Sequence, residues 1–371
     1  MSSINRSLKK TAERIIRQVL RVRAGETILV LTNPDQELQK ISMALVTASH
    51  NAGARPNLVF QDPKTPEDFM EPQVLEAFKR KPNIFIGVSQ RSTGADAEGA
   101  KKPYPGVSGH LARHDIRFFL FEKKYMRGFW TSGLRARDFV RLNDIDHQEL
   151  GRLGRRLFNR LKPARKIIIK TGSDDRLEID ISKFNPICDD AQYQRPGQYG
   201  NLPCGEVFYS PVPGRARGSI LLDGVLTTVA GTIRPREPVR VIFEQGRVSA
   251  IEGREAADKL RANFQEIDAR IKKMVAQGKI NRSQGKEYCR NITALGEVGI
   301  GINRQARIYP GVGLLEAEKV FGSMHIAFGH DYEGKIRALN HQDCVTRRPQ
   351  AWLVSADGRT EQILADRKFR V

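Results

Sequence analysis

The stretch Thr27-Ile28-Leu29-Val30-Leu31 is continuously apolar and follows Gly25, which is typical of a strand buried on both faces of a sheet. Amphipathic spacing predicts helices at 5–22 and 35–51. Further buried strands are predicted at 57–60, 83–88 and 116–121, each separated from the next by a helical or Gly/Pro-rich stretch. This alternation predicts an α/β domain in which a parallel, Rossmann-like sheet is covered by helices on both faces.

A nucleotide is the usual ligand of such a sheet, but the phosphate-binding loop is missing from the sequence. The first strand leads into Thr32-Asn33-Pro34-Asp35, and neither a G-x-G-x-x-G nor a G-x-x-x-x-G-K-[ST] motif follows it. We therefore expect this domain to be structural, or to form one wall of a cleft.

The pattern changes after a long basic helix predicted at about 135–162, which Pro163 ends. A hairpin is predicted from strands at 166–170 and 177–181, because a Gly-Ser-Asp-Asp turn joins them. More strands are predicted at 219–222, 225–230, 239–243 and 247–252, with a helix at 255–277 and a polar extension at 278–292. We predict two domains: an α/β domain over 1–164 and a mainly antiparallel β (α+β) domain over 165–371.

Composition indicates a soluble globular protein, which we expect in the cytoplasm. Hydrophobic residues make up 40% of the 371 residues and charged residues 28%, and no apolar run approaches the ~18 residues that a membrane helix needs. The first turns are charged and lack an apolar core, so no signal peptide is expected. The cysteines form no C-x-x-C pair and are expected to be reduced thiols: Cys188, Cys204, Cys289 and Cys344.

The chain is strongly basic, with 62 Lys and Arg against 42 Asp and Glu and a net charge of +20. Such a charge could attract nucleic acid. However, the basic residues are spread along both halves, and the sequence contains no recognition-helix or RNP-like motif. We expect no specific nucleic-acid partner and no membrane partner.

Residues that bind metals gather in the C-terminal half. Of the seven histidines, His325, His330 and His341 fall within 17 residues, and His341 and Asp343 share one face of any strand that contains them. A histidine and a carboxylate on one face can hold a metal ion together. Glu206 and Glu297 lie beside glycines and aliphatic residues, where a carboxylate needs a cation or hydrogen-bond donors. Structural histidines and strand-terminating glutamates remain alternatives from spacing alone.

Four motifs follow one another in the C-terminal half and cover most of residues 200–343. They are Asn-Leu-Pro-Cys-Gly-Glu-Val-Phe (201–208), Leu-Gly-Glu-Val-Gly-Ile-Gly-Ile-Asn (295–303), Leu-Leu-Glu-Ala-Glu-Lys-Val-Phe-Gly-Ser-Met-His-Ile-Ala-Phe-Gly (314–329) and Gly-Lys-Ile-Arg-Ala-Leu-Asn-His-Gln-Asp (334–343). In this order they resemble the aminopeptidase T/aminopeptidase S family of metallo-aminopeptidases, whereas the N-terminal half agrees with that family in pattern only.

The resemblance implies a hydrolase, usually homodimeric, that removes N-terminal residues from small peptides. It implies two divalent ions (zinc, cobalt or manganese) that acidify a water molecule and polarise the scissile carbonyl. It also assigns catalytic roles to Glu206 and Tyr332. The metal ligands that it implies are Glu206, Glu297, His325, His341 and Asp343.

Departures from the family leave substrate preference open. Ala317 stands where the family often has Asp, Gln342 replaces a frequent aromatic residue, and the segment 265–293 is longer than usual. One alternative is a mononuclear non-haem iron dioxygenase of the 2,5-dihydroxypyridine dioxygenase type, in which His325, His341 and Asp343 would hold the iron. Another is a non-enzymatic basic binding protein that kept the fold.

Overall fold

The computed structural model describes residues 3–66 and 68–371. The chain divides into two compact units. The first comprises the residues up to Gly151 together with Asp189–Cys204, and the second comprises Arg152–Cys188 and Gly205–Val371. This division differs from the single boundary predicted between residues 164 and 165, because residues 189–204 return to the first unit and add a strand to its sheet.

The described residues form helices and strands throughout both units. The helices are α1 (Ser3–Arg14), continued by a π-helical segment (Ile15–Val19), α2 (Gln36–Asn51), α3 (Pro72–Lys79), α4 (Ala97–Lys101), α5 (His110–His114), α6 (Ile116–Glu122), α7 (Ala136–Leu142), α8 (His147–Leu161), α9 (Glu255–Ala276), α10 (Arg282–Asn291) and α11 (Leu314–Ala317). The strands are β1 (Thr27–Thr32), β2 (Arg55–Phe60), β3 (Ile84–Ser89), β4 (Arg127–Ser132), β5 (Lys166–Thr171), β6 (Asp175–Asp180), β7 (Ile187–Asp189), β8 (Tyr199–Asn201), β9 (Glu206–Tyr209), β10 (Ala216–Leu222), β11 (Leu226–Thr228), β12 (Gly231–Ile233), β13 (Val239–Glu244), β14 (Arg247–Glu252), β15 (Leu295–Gly301), β16 (Met324–Gly329), β17 (His341–Thr346), β18 (Gln350–Val354), β19 (Thr360–Ala365) and β20 (Lys368–Phe369).

The first unit is built on a five-stranded parallel sheet with the order β2-β1-β3-β4-β8. The apolar residues Ile28 to Leu31 of β1 are at most 1% exposed, as expected for a strand covered on both faces. Asp35 then starts α2, because its carboxylate accepts hydrogen bonds from the backbone N–H groups of Glu37 and Leu38. The predicted parallel sheet is confirmed.

One predicted strand, at 116–121, is wrong, because these residues form the helix α6. Asp115 caps this helix by accepting a hydrogen bond from the backbone N–H of Arg117, and a short apolar run does not distinguish a buried strand from a buried helix. The sheet is instead completed by β4, which contains a charged residue at its first position. Arg127 is only 3% exposed, and its guanidinium donates to both carboxylate oxygens of Glu26 at 2.8 Å.

The single helix predicted at about 135–162 is also wrong, since the structure has two helices, α7 and α8, in its place. The break lies between Leu142 and His147. Asp146 forms a new helix start there, because its carboxylate accepts from the backbone N–H groups of Gln148 and Glu149.

The second unit contains two largely antiparallel sheets. Their strand orders are β14-β13-β10-β6-β5-β18-β19-β20 and β12-β11-β17-β16-β15-β9-β7. Phe243 of the first sheet stacks on Phe328 of the second, and Phe264 of α9 contacts the same ring edge-on. The predicted fold class, a parallel α/β sheet followed by a mainly antiparallel β part, is confirmed. No helix among the described residues is both long enough and apolar enough to span a bilayer.

Candidate metal centre

Four adjacent strands of the seven-stranded sheet carry the five predicted ligands. In the order β17-β16-β15-β9, these strands supply His341 and Asp343, then His325, then Glu297, then Glu206. All of these residues belong to the second unit. The sequence places the ligands up to 137 positions apart, whereas the sheet makes their strands neighbours.

Small residues stand opposite the ligands across the strand pairs. Gly301 pairs with Glu206, Gly299 with His325, and Gly329 with His341, while Ala327 pairs with both Glu297 and Asp343. A Cβ atom at Gly299 would overlap the imidazole of His325. The glycine-rich motif 295–303 therefore leaves the space into which long polar side chains converge.

The five side chains form two groups that share Glu297. Oε1 of Glu297 lies 2.9 Å from Nε2 of His325, and its Oε2 lies 3.1 Å from Nε2 of His341. The first group is completed by Oε2 of Glu206, 3.5 Å from Nε2 of His325, and the second by Oδ1 of Asp343, 3.6 Å from Nε2 of His341. Each group offers three ligand atoms within 4.8 Å of one another.

The backbone fixes the orientation of His341. Its Nδ1 lies 2.8 Å from the carbonyl oxygen of His330, and a carbonyl oxygen only accepts, so Nδ1 carries a proton. Nε2 is therefore the atom directed at Glu297 and Asp343. A metal-binding histidine commonly has its second ring nitrogen held in this way.

Burial and mutual charge shift the pKa values of the site strongly. Burial acts to raise the pKa of Glu297, but the imidazoles of His325 and His341, each in contact with one of its oxygens, outweigh burial and hold the pKa at about 2. Burial acts to lower the pKa of His325, yet Glu297 and the neighbouring carboxylates raise it to about 9. The same carboxylates raise the pKa of His341 well above its usual range, against the effect of burial. The carboxylates thus create a field that attracts positive charge.

Several buried atoms of the site make no well-aligned hydrogen bond in the described part of the chain, although two of them, Oε2 of Glu297 and Nε2 of His341, lie 3.1 Å apart. They are Oε2 of Glu206, Oε2 of Glu297 and Nε2 of His341. A buried polar atom without a partner costs free energy, on the order of 1–3 kcal/mol. Because these atoms belong to the two ligand groups and are carboxylate oxygens and an imidazole nitrogen, they fit a divalent cation such as zinc, cobalt, manganese or iron.

A buried ion pair that the sequence analysis did not single out lies beside the ligands. Nζ of Lys319 lies 2.5 Å from Oε1 of Glu206 and 2.7 Å from Oε1 of Glu318. Burial, together with the charge of Glu206 and Asp343, raises the pKa of Glu318 to about 8 despite the opposing effect of Lys319. In the sequence, this pair stands within the motif 314–329, five and six residues before β16 begins, and its residue types do not indicate burial.

Aromatic side chains surround His341. The ring of Tyr332 lies 5.2 Å from that of His341 and 5.1 Å from that of Phe208, and the ring of His330 lies 4.7 Å from that of His341. Tyr332 is 46% exposed, yet desolvation, followed by the charge of Glu297 and Asp343, raises the pKa of its phenol well above the usual range. Its hydroxyl group is therefore protonated at neutral pH. His330 lies next to the ligand groups without belonging to either.

The fold resembles two solved enzyme structures over its whole length. The chain superposes on 2,5-dihydroxypyridine dioxygenase from Pseudomonas putida KT2440 with a TM-score of 0.72 and 13% identity, covering 100% of this chain and 98% of that one. It superposes on wild-type AmpT from Thermus thermophilus with a TM-score of 0.65 and 16% identity, covering all of both chains. No family model and no curated protein matches the sequence. At these identities the likeness establishes the shared fold.

Proposed function

We propose that the protein is a metal-dependent aminopeptidase that releases the N-terminal residue of small peptides at a site for two divalent ions. The observation that carries this proposal is the position of Glu297, whose two oxygens face different histidines at 2.9 and 3.1 Å. A carboxylate shared in this way suits a bridge between two ions, and a mononuclear site would have no use for it. Two such ions, when bound, activate a water molecule and polarise a carbonyl group.

The protein's own side chains would divide the remaining work. Glu206 has one oxygen held by Lys319, so only its Oε2 is left to hold an ion or, in place of that, to accept a proton from a water molecule. Tyr332 keeps its proton at neutral pH and can donate a hydrogen bond to an oxygen of the substrate. Its ring and that of Phe208 would line the approach to His341.

A free amino group on the substrate provides the decisive test. Purified protein, stripped by a chelator and reloaded with zinc, cobalt or manganese, is expected to cleave unblocked dipeptides or aminoacyl anilides. N-acetylated versions of the same substrates are expected to be inert, because an acetylated amine is neither a cation nor a good ligand. Equal cleavage of blocked and free substrates would contradict an aminopeptidase, and the absence of cleavage with every metal would contradict a peptidase.

The second candidate is a mononuclear non-haem iron dioxygenase that cleaves an aromatic ring. The contact between Lys319 and Glu206 favours it, because the ammonium group offsets the charge of one candidate ligand. His325, His341 and Asp343 would then supply the two imidazoles and one carboxylate that such iron needs. One equivalent of iron per chain and oxygen uptake with a dihydroxypyridine would support this function and exclude the first.

The remaining expectations rest on the resemblance and on composition. We propose a homodimer that works in the cytoplasm on small peptides, without a specific nucleic-acid partner. Light scattering of the purified chain measures the first of these directly.

A further inference from the structure

Lys319 is fully buried and lies at the edge of the candidate metal centre. It directly precedes the turn that leads into β16, and its ammonium group donates to one oxygen of Glu206 and one of Glu318. A buried lysine side chain is unusual unless it is paired with an opposite charge.

The contact with Lys319 makes the two ligand groups unequal. In the group Glu206–Glu297–His325, one carboxylate oxygen is already taken by an ammonium group at 2.5 Å. In the group Glu297–His341–Asp343, the contacts of the carboxylates are with imidazoles that are themselves candidate ligands, and no ammonium group is recorded against either carboxylate in the described part of the chain. A divalent ion in the first group therefore faces a positive charge across Glu206, whereas an ion in the second does not face it directly. Repulsion between like charges is strong in a buried, weakly screened site.

We propose that Lys319 is a positioning residue that makes the two metal subsites unequal, so that the ion at Glu206–His325 binds more weakly and exchanges first. The inference rests on the proposed function, because it assumes that both ligand groups hold an ion. Lys319 turns Oε2 of Glu206 towards His325 by holding Oε1, and it lowers the net negative charge of that subsite. The ion at Glu297–His341–Asp343 would stay bound at metal concentrations that empty its neighbour.

The test is a metal titration of the full chain. Protein stripped by a chelator is dialysed against a series of buffered free zinc concentrations, and bound zinc per chain is measured. For the wild type we expect two binding steps whose dissociation constants differ by about tenfold or more. For Lys319→Met we expect the second step to tighten by about tenfold, because Glu206 regains its full charge.

Two further variants keep the result interpretable. The double variant Lys319→Met/Glu318→Gln removes the ammonium group together with the charge of its second partner, Glu318. It replaces the single variant if Lys319→Met does not fold because Glu318 is left as an unpaired buried charge. The same tightening of the second step is expected for this double variant. Lys279→Met makes the same substitution at an exposed position and should leave both steps unchanged.

The possible outcomes separate this inference from the proposed function. Two equal wild-type steps, or a second step that is unchanged or weaker in both Lys319 variants, would overturn the role of Lys319 and leave the two-metal site intact. One ion in the wild type and two in the variants would support the role of Lys319 and contradict a dinuclear wild-type enzyme. One ion in all of them would contradict both.

Discussion

Glu297 is the residue shared by the two groups of the candidate metal centre, since each of its oxygens faces a different histidine. Glu297→Gln keeps the shape but removes the charge, and we expect it to bind neither ion firmly. Asp343→Asn alters only the group at His341 and is expected to keep the ion at Glu206–His325. Metal content per chain after dialysis measures both. Glu237→Gln makes the same substitution at a half-exposed position and is the control. If Glu297→Gln retained two ions, Glu297 would not be a ligand shared by both.

The ligands could be predicted from the sequence, whereas the buried ion pair beside them could not. Glu206, Glu297, His325, His341 and Asp343 stand in ordered motifs whose residue types already indicate metal binding. Glu318 and Lys319 stand in the third of these motifs, but by residue type they resemble any charged pair on a surface. Their burial depends on the arrangement of β9, β15 and β16 in one sheet of the folded unit, which no local pattern encodes.

His147 gives a prediction on stability against pH. It is 4% exposed, neither of its ring nitrogens has a hydrogen-bond partner among the described residues, and burial, with a smaller effect of Arg14, lowers its pKa to about 4. The unfolded chain takes up this proton near pH 6.5, whereas the folded chain does so only near pH 4. The unfolded state is therefore favoured progressively as the pH falls through this window, by about 2 kcal/mol at pH 5.

We accordingly expect His147→Leu to lose less stability than the wild type between pH 7 and pH 5. Urea unfolding of the metal-free protein at the two pH values measures this difference. His50→Leu, at an exposed histidine, should behave as the wild type does. If wild type and His147→Leu lose equal stability on acidification, His147 does not carry the effect.

At the level of elements, the sequence predicts what local patterns determine and misses what distant contacts determine. The uniform apolar run of β1 and the turn between β5 and β6 are local signals, and both elements are present. The helix α6 has an equally apolar sequence, but its capping residue Asp115 decides its conformation. The strand β4 was missed because the charge of Arg127 is neutralised by Glu26, about 100 residues earlier in the chain.

Strand β15 shows how one element makes room for the site. A methyl group at Gly299 would overlap the ring of His325, so Gly299→Ala is expected to displace the imidazole and release the ion at Glu206–His325. Overpacking of this kind typically costs about 1–3 kcal/mol of stability. Bound metal and the unfolding midpoint are the measurements. Gly313→Ala is the control, because no neighbouring atom lies within 4 Å of the new Cβ. Normal metal content in Gly299→Ala would contradict a displacement of the His325 ring by the new methyl group.

At the scale of the whole molecule, the net charge of +20 is the property that the proposed reaction does not use. The first unit offers no phosphate-binding loop after β1, because Asn33-Pro34-Asp35 leads directly into α2. The basic residues are spread along the chain, so any attraction for polyanions comes from their summed field and carries no sequence information.

We therefore expect nucleic acid to bind weakly and without sequence preference. Binding through phosphate contacts releases counterions, so affinity should fall by about 10³-fold or more between roughly 50 and 200 mM salt when several phosphates are engaged. Titration of the full chain with a random duplex at both salt concentrations measures this slope, and duplexes of different sequence serve as the matched comparison. Metal-loaded and metal-free protein should give the same slope, since the centre on β9, β15, β16 and β17 is buried and acidic. Tight binding that depends on sequence and survives high salt would instead make nucleic acid the substrate, and the two carboxylate-rich metal groups would then suit hydrolysis of a phosphodiester.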